Sequence, residues 1–293
     1  MSGDTQTMPM AHSAPIGIFD SGIGGLSVLR HIHQDLPLED LLYFADSAYA
    51  PYGDRSEAEI STRSLAVTQF LLQQGVKALV VACNTATTAA IKAIRSAYPA
   101  LPVIGIEPGL KPAAAHSRSK IVGVLATKAT LQSARLLALQ EQISAASGVH
   151  FELQACVGLV DQIEKGELRS AQTALLLRRY IAPLLAQGAD TLVLGCTHYP
   201  FVRPLIEEIV AELASGPVTV IDTGAAVSRQ LAKVLAENGL LQAAPHSGRV
   251  SAFTSGSESA ISVPFARLLQ LQPPVSAVAA TAQPAGISSL PVI

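Results

Sequence analysis

The chain has 293 residues, room for about two domains of ordinary size, and its 49% hydrophobic and 14% charged residues exclude the charge-rich, apolar-poor composition of a disordered protein. A formal charge of -2 and a pI near 6.4 leave no net positive field to collect nucleic acid or an anionic membrane surface. Mean hydropathy is +0.37, carried largely by alanine, and no uninterrupted apolar run reaches the length of about eighteen residues that spans a bilayer.

Residues 1–15 are small and polar and lack the basic head and apolar stretch of a secretory signal, so they read as a flexible tail on a cytoplasmic protein. Strands are then expected at 16–19, 41–45, 78–82, 103–106, 121–125, 191–195 and 218–221. Helices are expected at 26–34, 56–74, 88–96, 130–144, 170–187, 202–214 and 225–238. The strands are short and almost wholly apolar, which suits a parallel sheet covered on both faces, because a half-solvated strand would alternate. Strands taking turns with helices predict an α/β fold in three layers. The uncharged stretch 271–293, with Pro273, Pro274, Pro284 and Pro291, is expected to be a second flexible tail.

The chain also echoes itself. ALVVACNTATTAAI (78–91) lines up with TLVLGCTHYPFVRP (191–204), and IGIFDSG (16–22) with VGVLATK (122–128). A repeat at domain spacing predicts two similar α/β lobes related by a pseudo-twofold axis, with corresponding strand ends facing each other across a cleft. The first lobe is expected to span 16–107 plus 218–270, and the second 108–217, with hinges at 105–112 and just before Asp222.

Three cysteines, Cys83, Cys156 and Cys196, with no CxxC pair, fit neither a disulfide framework nor a zinc knuckle. The histidines are scattered without metal-ligand spacing. GIGG (22–25) lacks both the dinucleotide spacing and a Lys-Ser/Thr sequel and reads as a tight turn, and no lysine sits in the glycine-rich context of a pyridoxal phosphate site. No metal and no cofactor is expected.

Cys83 and Cys196 occupy matching places in the echo, each at the end of an apolar strand and before the start of a helix, where backbone amides and the helix dipole would lower a thiol pKa. One such cysteine alone is more often a small buried hydrophobe. Two of them facing one substrate atom from opposite sides are the requirement for racemisation without a cofactor: one base removes a proton and a conjugate acid returns one to the other face. Cys156 has no counterpart in the echo and reads as core. A two-lobed binding protein without catalysis would share the fold but would not need paired thiols.

FDSGIGGLSVL (19–29), YFADSAYAPYG (43–53), VACNTAT (81–87), GCTHYP (195–200) and IDTG (221–224) together resemble the glutamate racemases over about residues 16–265. The resemblance implies Cys83 and Cys196 as the two acid/base thiols acting on L- and D-glutamate, and a role in supplying D-glutamate for peptidoglycan. It implies Asp20 and Ser21 at the substrate amino group, with Asp20 also assisting the thiol of its own lobe. Asn84, Thr85 and Thr197 would hold the substrate carboxylates, and Pro51, Tyr52 and Gly53 would close over it by backbone contacts, with Asp46 in the same loop behind them. His198 would assist the second cysteine, and Glu164 aligns with a family glutamate for which Asp161 competes. A homodimer and activation by a peptidoglycan precursor are also implied.

Overall fold

The computed structural model describes residues 12–243 and 247–278; the expected N-terminal tail lies outside the described residues up to position 11. In chain order the elements are β1 (Ile16–Asp20), α1 (Leu26–Asp35), β2 (Leu41–Ala45), α2 (Glu57–Gln73), β3 (Ala78–Val81), α3 (Asn84–Ala97) and β4 (Val103–Gly105). There follow α4 (Leu110–His116), β5 (Ile121–Ala126), α5 (Lys128–Leu131), α6 (Ala134–Ser147), β6 (His150–Ala155), α7 (Leu159–Glu164), α8 (Ala171–Ala186), β7 (Thr191–Leu194), α9 (Arg203–Leu213) and β8 (Thr219–Ile221). The chain closes with α10 (Gly224–Glu237), β9 (Val250–Thr254), α11 (Ser259–Pro264) and β10 (Val275–Ala277).

The strands form two all-parallel sheets, one ordered β10-β9-β2-β1-β3-β4 and the other β6-β5-β7-β8. The segment β2-β1-β3-β4 of the first repeats in the second as β6-β5-β7-β8, so the sequence echo is a repeat of topology: β1 corresponds to β5 and β3 to β7. Every residue of β1, β2, β3 and β7 is buried, which is what helices on both faces impose and why these strands lack alternation.

Several local expectations are corrected. β6 and β9 carry no continuous apolar run: β6 reads HFELQA and is largely half-exposed, and β9 reads VSAFT. The expected helix 130–144 is two helices, because Thr127 caps α5 and Ser133 caps α6 by accepting from Thr130 N and Leu136 N. α3 starts at Asn84 rather than 88, since the Cys83 side chain itself caps it. Residues 219–221 hydrogen-bond to β7 and complete the smaller sheet, so they lie with the second sheet and not the first, as the repeat of β4 requires. Of the expected tail from 271, residues 271–278 are described and include β10, which pairs with β9, whereas 279–293 lie outside the described residues; Pro274 contributes only its carbonyl, accepting from Ala252 N at 2.9 Å, so its missing N–H costs the ladder nothing.

At the far end of the larger sheet from the strand carboxyl ends, a fully buried Lys77 ammonium lies 2.5 Å from the Glu39 carboxylate and donates to His12 O at 2.6 Å. Glu39 in turn accepts from Gln242 N at 2.9 Å, so one buried pair ties together β2, β3 and the segment after α10. The chain crosses between sheets twice, after β4 and after β8. α4 packs against β7 and β8, whereas α10 packs on α1 and β4.

Candidate active site

Carboxyl ends of β1, β3, β5 and β7 converge on one small pocket, with a cavity volume of about 20 Å³. From the larger sheet's side it is lined by Ser21, Pro51, Tyr52, Gly53, Cys83, Asn84 and Thr85; from the smaller sheet's side by Thr127, Val160, Cys196, Thr197 and His198. Both thiols, free and buried, therefore reach one space from opposite sheets. Asp20 and Glu164 are not in this wall: Asp20 is fully buried behind it, and Glu164 stands on α7 behind His198.

Cys83 Sγ accepts from Ala86 N at 3.4 Å at the start of α3. The expectation of a lowered thiol pKa fails here. Burial pushes the Cys83 thiol well up, the nearby Asp20 carboxyl adds to this, and the Ala86 amide and Ser21 hydroxyl only partly offset them. Cys83 is thus held as the thiol. Asp20 is itself pushed above its ordinary 3.8, because burial outweighs the His198 charge and the amides of Gly25 and Gly22.

The other thiol has different company. His198 Nδ1 lies 3.7 Å from Cys196 Sγ, and Nε2 lies 2.6 Å from Glu164 Oε1. Burial pulls the His198 pKa down, yet its bonds to Cys196 and Glu164 and the Glu164 charge raise it well above the ordinary 6.5, which favours the protonated ring between these two partners. Glu164 is lowered below its ordinary 4.5: burial opposes this, but the His198 bond and charge and the Ile23 amide prevail. Asp161, the competing carboxylate, is exposed on the same helix.

The glycine turn after β1 lets this group approach. Ile23 N donates to Glu164 Oε1 at 3.1 Å, and a side chain at Gly22 would overlap that carboxylate. A Cβ at Gly24 would overlap the His198 ring and lie 2.6 Å from Thr197 Oγ1. Ser27 Oγ donates to Thr197 O at 2.8 Å, and Thr197 Oγ1 to Asp20 Oδ1 at 3.4 Å. GIGG is a tight turn, as its spacing suggests, and also the surface on which the smaller sheet's end seats.

Asn84 is buried with both Oδ1 and Nδ2 unpartnered, beside the pocket it lines. Thr85, Thr127 and Thr130 form a hydroxyl triangle at 3.2, 3.3 and 3.0 Å across the two sheets' ends. Thr127 and Val160 escaped the sequence reading. The signal for Thr127 was present, since the echo of IGIFDSG and VGVLATK sets it opposite Ser21. Among the described residues no group of His, Cys, Asp or Glu is arranged to hold a metal, and no helix is long and apolar enough to cross a membrane.

Residues 16–231 match the family model described as Asp/Glu/Hydantoin racemase. The chain belongs to that family. It is 54% identical over 232 residues to a glutamate racemase of Ectopseudomonas mendocina, covering 79% of this chain and 86% of that protein. A glutamate racemase of Pseudomonas aeruginosa is 55% identical over 230 residues, covering 78% and 84%. Among solved structures, the Francisella tularensis glutamate racemase in complex with D-glutamate superposes with a TM-score of 0.79 at 30% identity, covering 92% of this chain and 98% of that one. The Escherichia coli enzyme in complex with L-glutamate and the activator UDP-MurNAc-Ala gives 0.76 at 30% identity, covering 91% and 98%. This member of the racemase family is accordingly an isomerase, with two α/β lobes.

Proposed function

We propose that the chain interconverts L- and D-glutamate by two-thiol proton transfer, without metal or organic cofactor, and supplies D-glutamate for peptidoglycan. The observation that carries this reading is the placement of Cys83 and Cys196 on opposite sides of one small pocket. A thiolate on one side removes the α-proton; the thiol on the other protonates the opposite face, and the two exchange charge states in each turnover. With the Cys83 thiol pushed up by burial, Cys83 is suited to giving a proton in one direction of turnover. Turnover in the other direction exchanges the two roles.

The α-proton of an amino acid is weakly acidic, so the developing carbanion needs stabilisation in a water-poor site. Asn84, with its two orphaned polar atoms, Thr85 and Thr197 at helix starts, and the backbone of Pro51–Gly53 are assigned to the substrate carboxylates. Ser21 is assigned to the amino group, and Asp20, one layer back, acts through Cys83 and Thr197. His198 assists Cys196, with Glu164 orienting the ring. The lobes move about 106–109 and 222–223, where the chain crosses between sheets, to admit and release substrate. A cytoplasmic homodimer responsive to a UDP-linked peptidoglycan precursor completes the proposal; the precursor's presence in the E. coli relative's structure supports that part.

The test follows L-glutamate in D2O by circular dichroism and the α-proton NMR signal together. Both signals should decay with the native chain, and Cys83→Ala and Cys196→Ala should each slow this by at least about two orders of magnitude. Retained turnover in either variant would sink the two-thiol mechanism, and tight glutamate binding with no loss of optical activity would favour a binding protein instead.

A further inference from the structure

The wall formed by Pro51, Tyr52 and Gly53 belongs to a segment, 47–55, built of two short 3-10 turns, Ser47–Tyr49 and Tyr52–Asp54, and the question is what fixes it. Asp46, at the end of β2, is fully buried and accepts four hydrogen bonds. Tyr52 OH donates to Oδ2 at 2.5 Å, Arg63 on α2 donates from Nε to Oδ2 at 3.1 Å and from Nη2 to Oδ1 at 2.8 Å, and Ser255, just after β9, donates to Oδ1 at 2.7 Å. The Arg63 guanidinium also lies 3.8 Å over the Tyr49 ring, and Ser255 Oγ accepts from Ala48 N at 3.1 Å. One carboxylate thus joins the loop to α2 and to the last strands of the larger sheet.

We propose that Arg63 is a positioning residue for the reaction: its two-pronged contact with Asp46, relayed through Tyr52, holds the 47–55 loop closed over the substrate. A buried carboxylate with no counter-charge is strongly disfavoured, and the Arg63 guanidinium fork, 2.8 Å from Asp46 Oδ1, is the counter-charge beside the acceptor that holds the loop. Tyr52 remains a donor because burial and the Asp46 charge push its hydroxyl well above the ordinary 10. The stacked Tyr49 ring packs the same guanidinium from the loop side, so arginine engages the loop at two points. Lysine, a single point charge, reproduces only part of this. The inference deepens the racemase reading, on which it rests for its substrate, glutamate.

The experiment compares the full-length chain with Arg63→Gln, Arg63→Lys and Ser255→Ala by steady-state racemisation of glutamate and by amide hydrogen exchange over 46–56. Arg63→Gln is expected to raise KM by about tenfold or more while kcat changes by a smaller factor, and to speed exchange of the Tyr49 and Arg55 amides, which bond Asp46 O and Tyr52 O. Arg63→Lys should fall between, and Ser255→Ala should raise exchange at Ala48. A purely structural role would lower thermal stability and leave KM and loop exchange within about twofold of native; that result overturns the proposal. Should Arg63→Gln fail to fold, unchanged KM and exchange in both milder variants overturn it equally. A native chain that does not turn over glutamate defeats the functional reading alone, and unchanged loop exchange in the variants then defeats the clamp.

Discussion

Replacing Glu164 by Gln tests the charge state of the His198 pair with little change of shape. The glutamine oxygen can still accept from Ile23 N and from His198 Nε2, which contact Glu164 Oε1 at 3.1 and 2.6 Å, but the negative charge is gone. Hydrogen bonds to a charged group contribute about 1.5–3 kcal/mol against about 0.5–1.5 for neutral ones, so the exchange removes about 1–2 kcal/mol of preference for the imidazolium. That is a drop of roughly one pKa unit at His198. The stability effect has a sign on each side. His198 is raised, so its contribution is full below its ordinary 6.5 and is lost as pH rises through the raised value. Glu164 is lowered, so its contribution is full above its ordinary 4.5 and is lost as pH falls through the lowered value. The gap in Tm between native and Glu164→Gln should therefore be largest between pH 4.5 and 6.5, a few degrees for about 1–2 kcal/mol. The assay is an imidazole NMR titration, with the His198 resonance assigned by its loss in His198→Asn, alongside melting curves across pH. An unmoved His198 midpoint, or a Tm gap that stays flat with pH, would refute an ionised pair.

Gly24→Ala should cost at least about tenfold in kcat/KM, because the new methyl displaces the His198 ring, while circular dichroism of the folded chain stays near native; native kinetics would show that the two sheet ends do not need this close approach. Lys77→Met leaves the Glu39 carboxylate buried and unpaired, and urea unfolding should register a loss of about 3–5 kcal/mol. Adding Glu39→Gln should restore most of it, and a single-variant loss below about 1 kcal/mol would mean that water reaches the pair. Cys156→Ala should leave racemisation near native and lower stability by about 1 kcal/mol, since the side chain is core; a large loss of turnover would give that thiol a catalytic part.

How much of this was readable from residues alone follows from what each signal depends on. Fully buried strands announce themselves as apolar runs, so β1, β2, β3, β5 and β7 were legible, and the internal repeat made the pairing of Cys83 with Cys196 legible before any coordinates. β6 and β10 were not, because β6 is largely half-exposed and β10 is short, mostly exposed and follows Pro273 and Pro274, so neither shows a continuous apolar run. Ser21, Asn84 and Thr197 stand in motifs and were found. Arg63 and Ser255 stand in none: their part comes from meeting at Asp46 across 17 and 209 positions of chain, a convergence that only tertiary structure creates. The Cys83 thiol was misjudged for a related reason. The amide at a helix start is a local feature visible in sequence, whereas burial and the Asp20 carboxyl, which prevail, are not.

The two thiols occupy equivalent places in the repeat but have unlike neighbours, a carboxyl pushed up by burial behind Cys83 and the hydrogen-bonded His198 and Glu164 behind Cys196. Mirror-image amino acids have equal free energies in water, so for a racemase the kcat/KM values for the two enantiomers must be identical whatever the site looks like. Under the proposed two-thiol reading, the inequality of these neighbours can only be expressed inside that constraint, as a pairing of higher kcat with higher KM for one enantiomer. A duplicated fold with divergent halves thereby sets which enantiomer is held longer without any power over which accumulates.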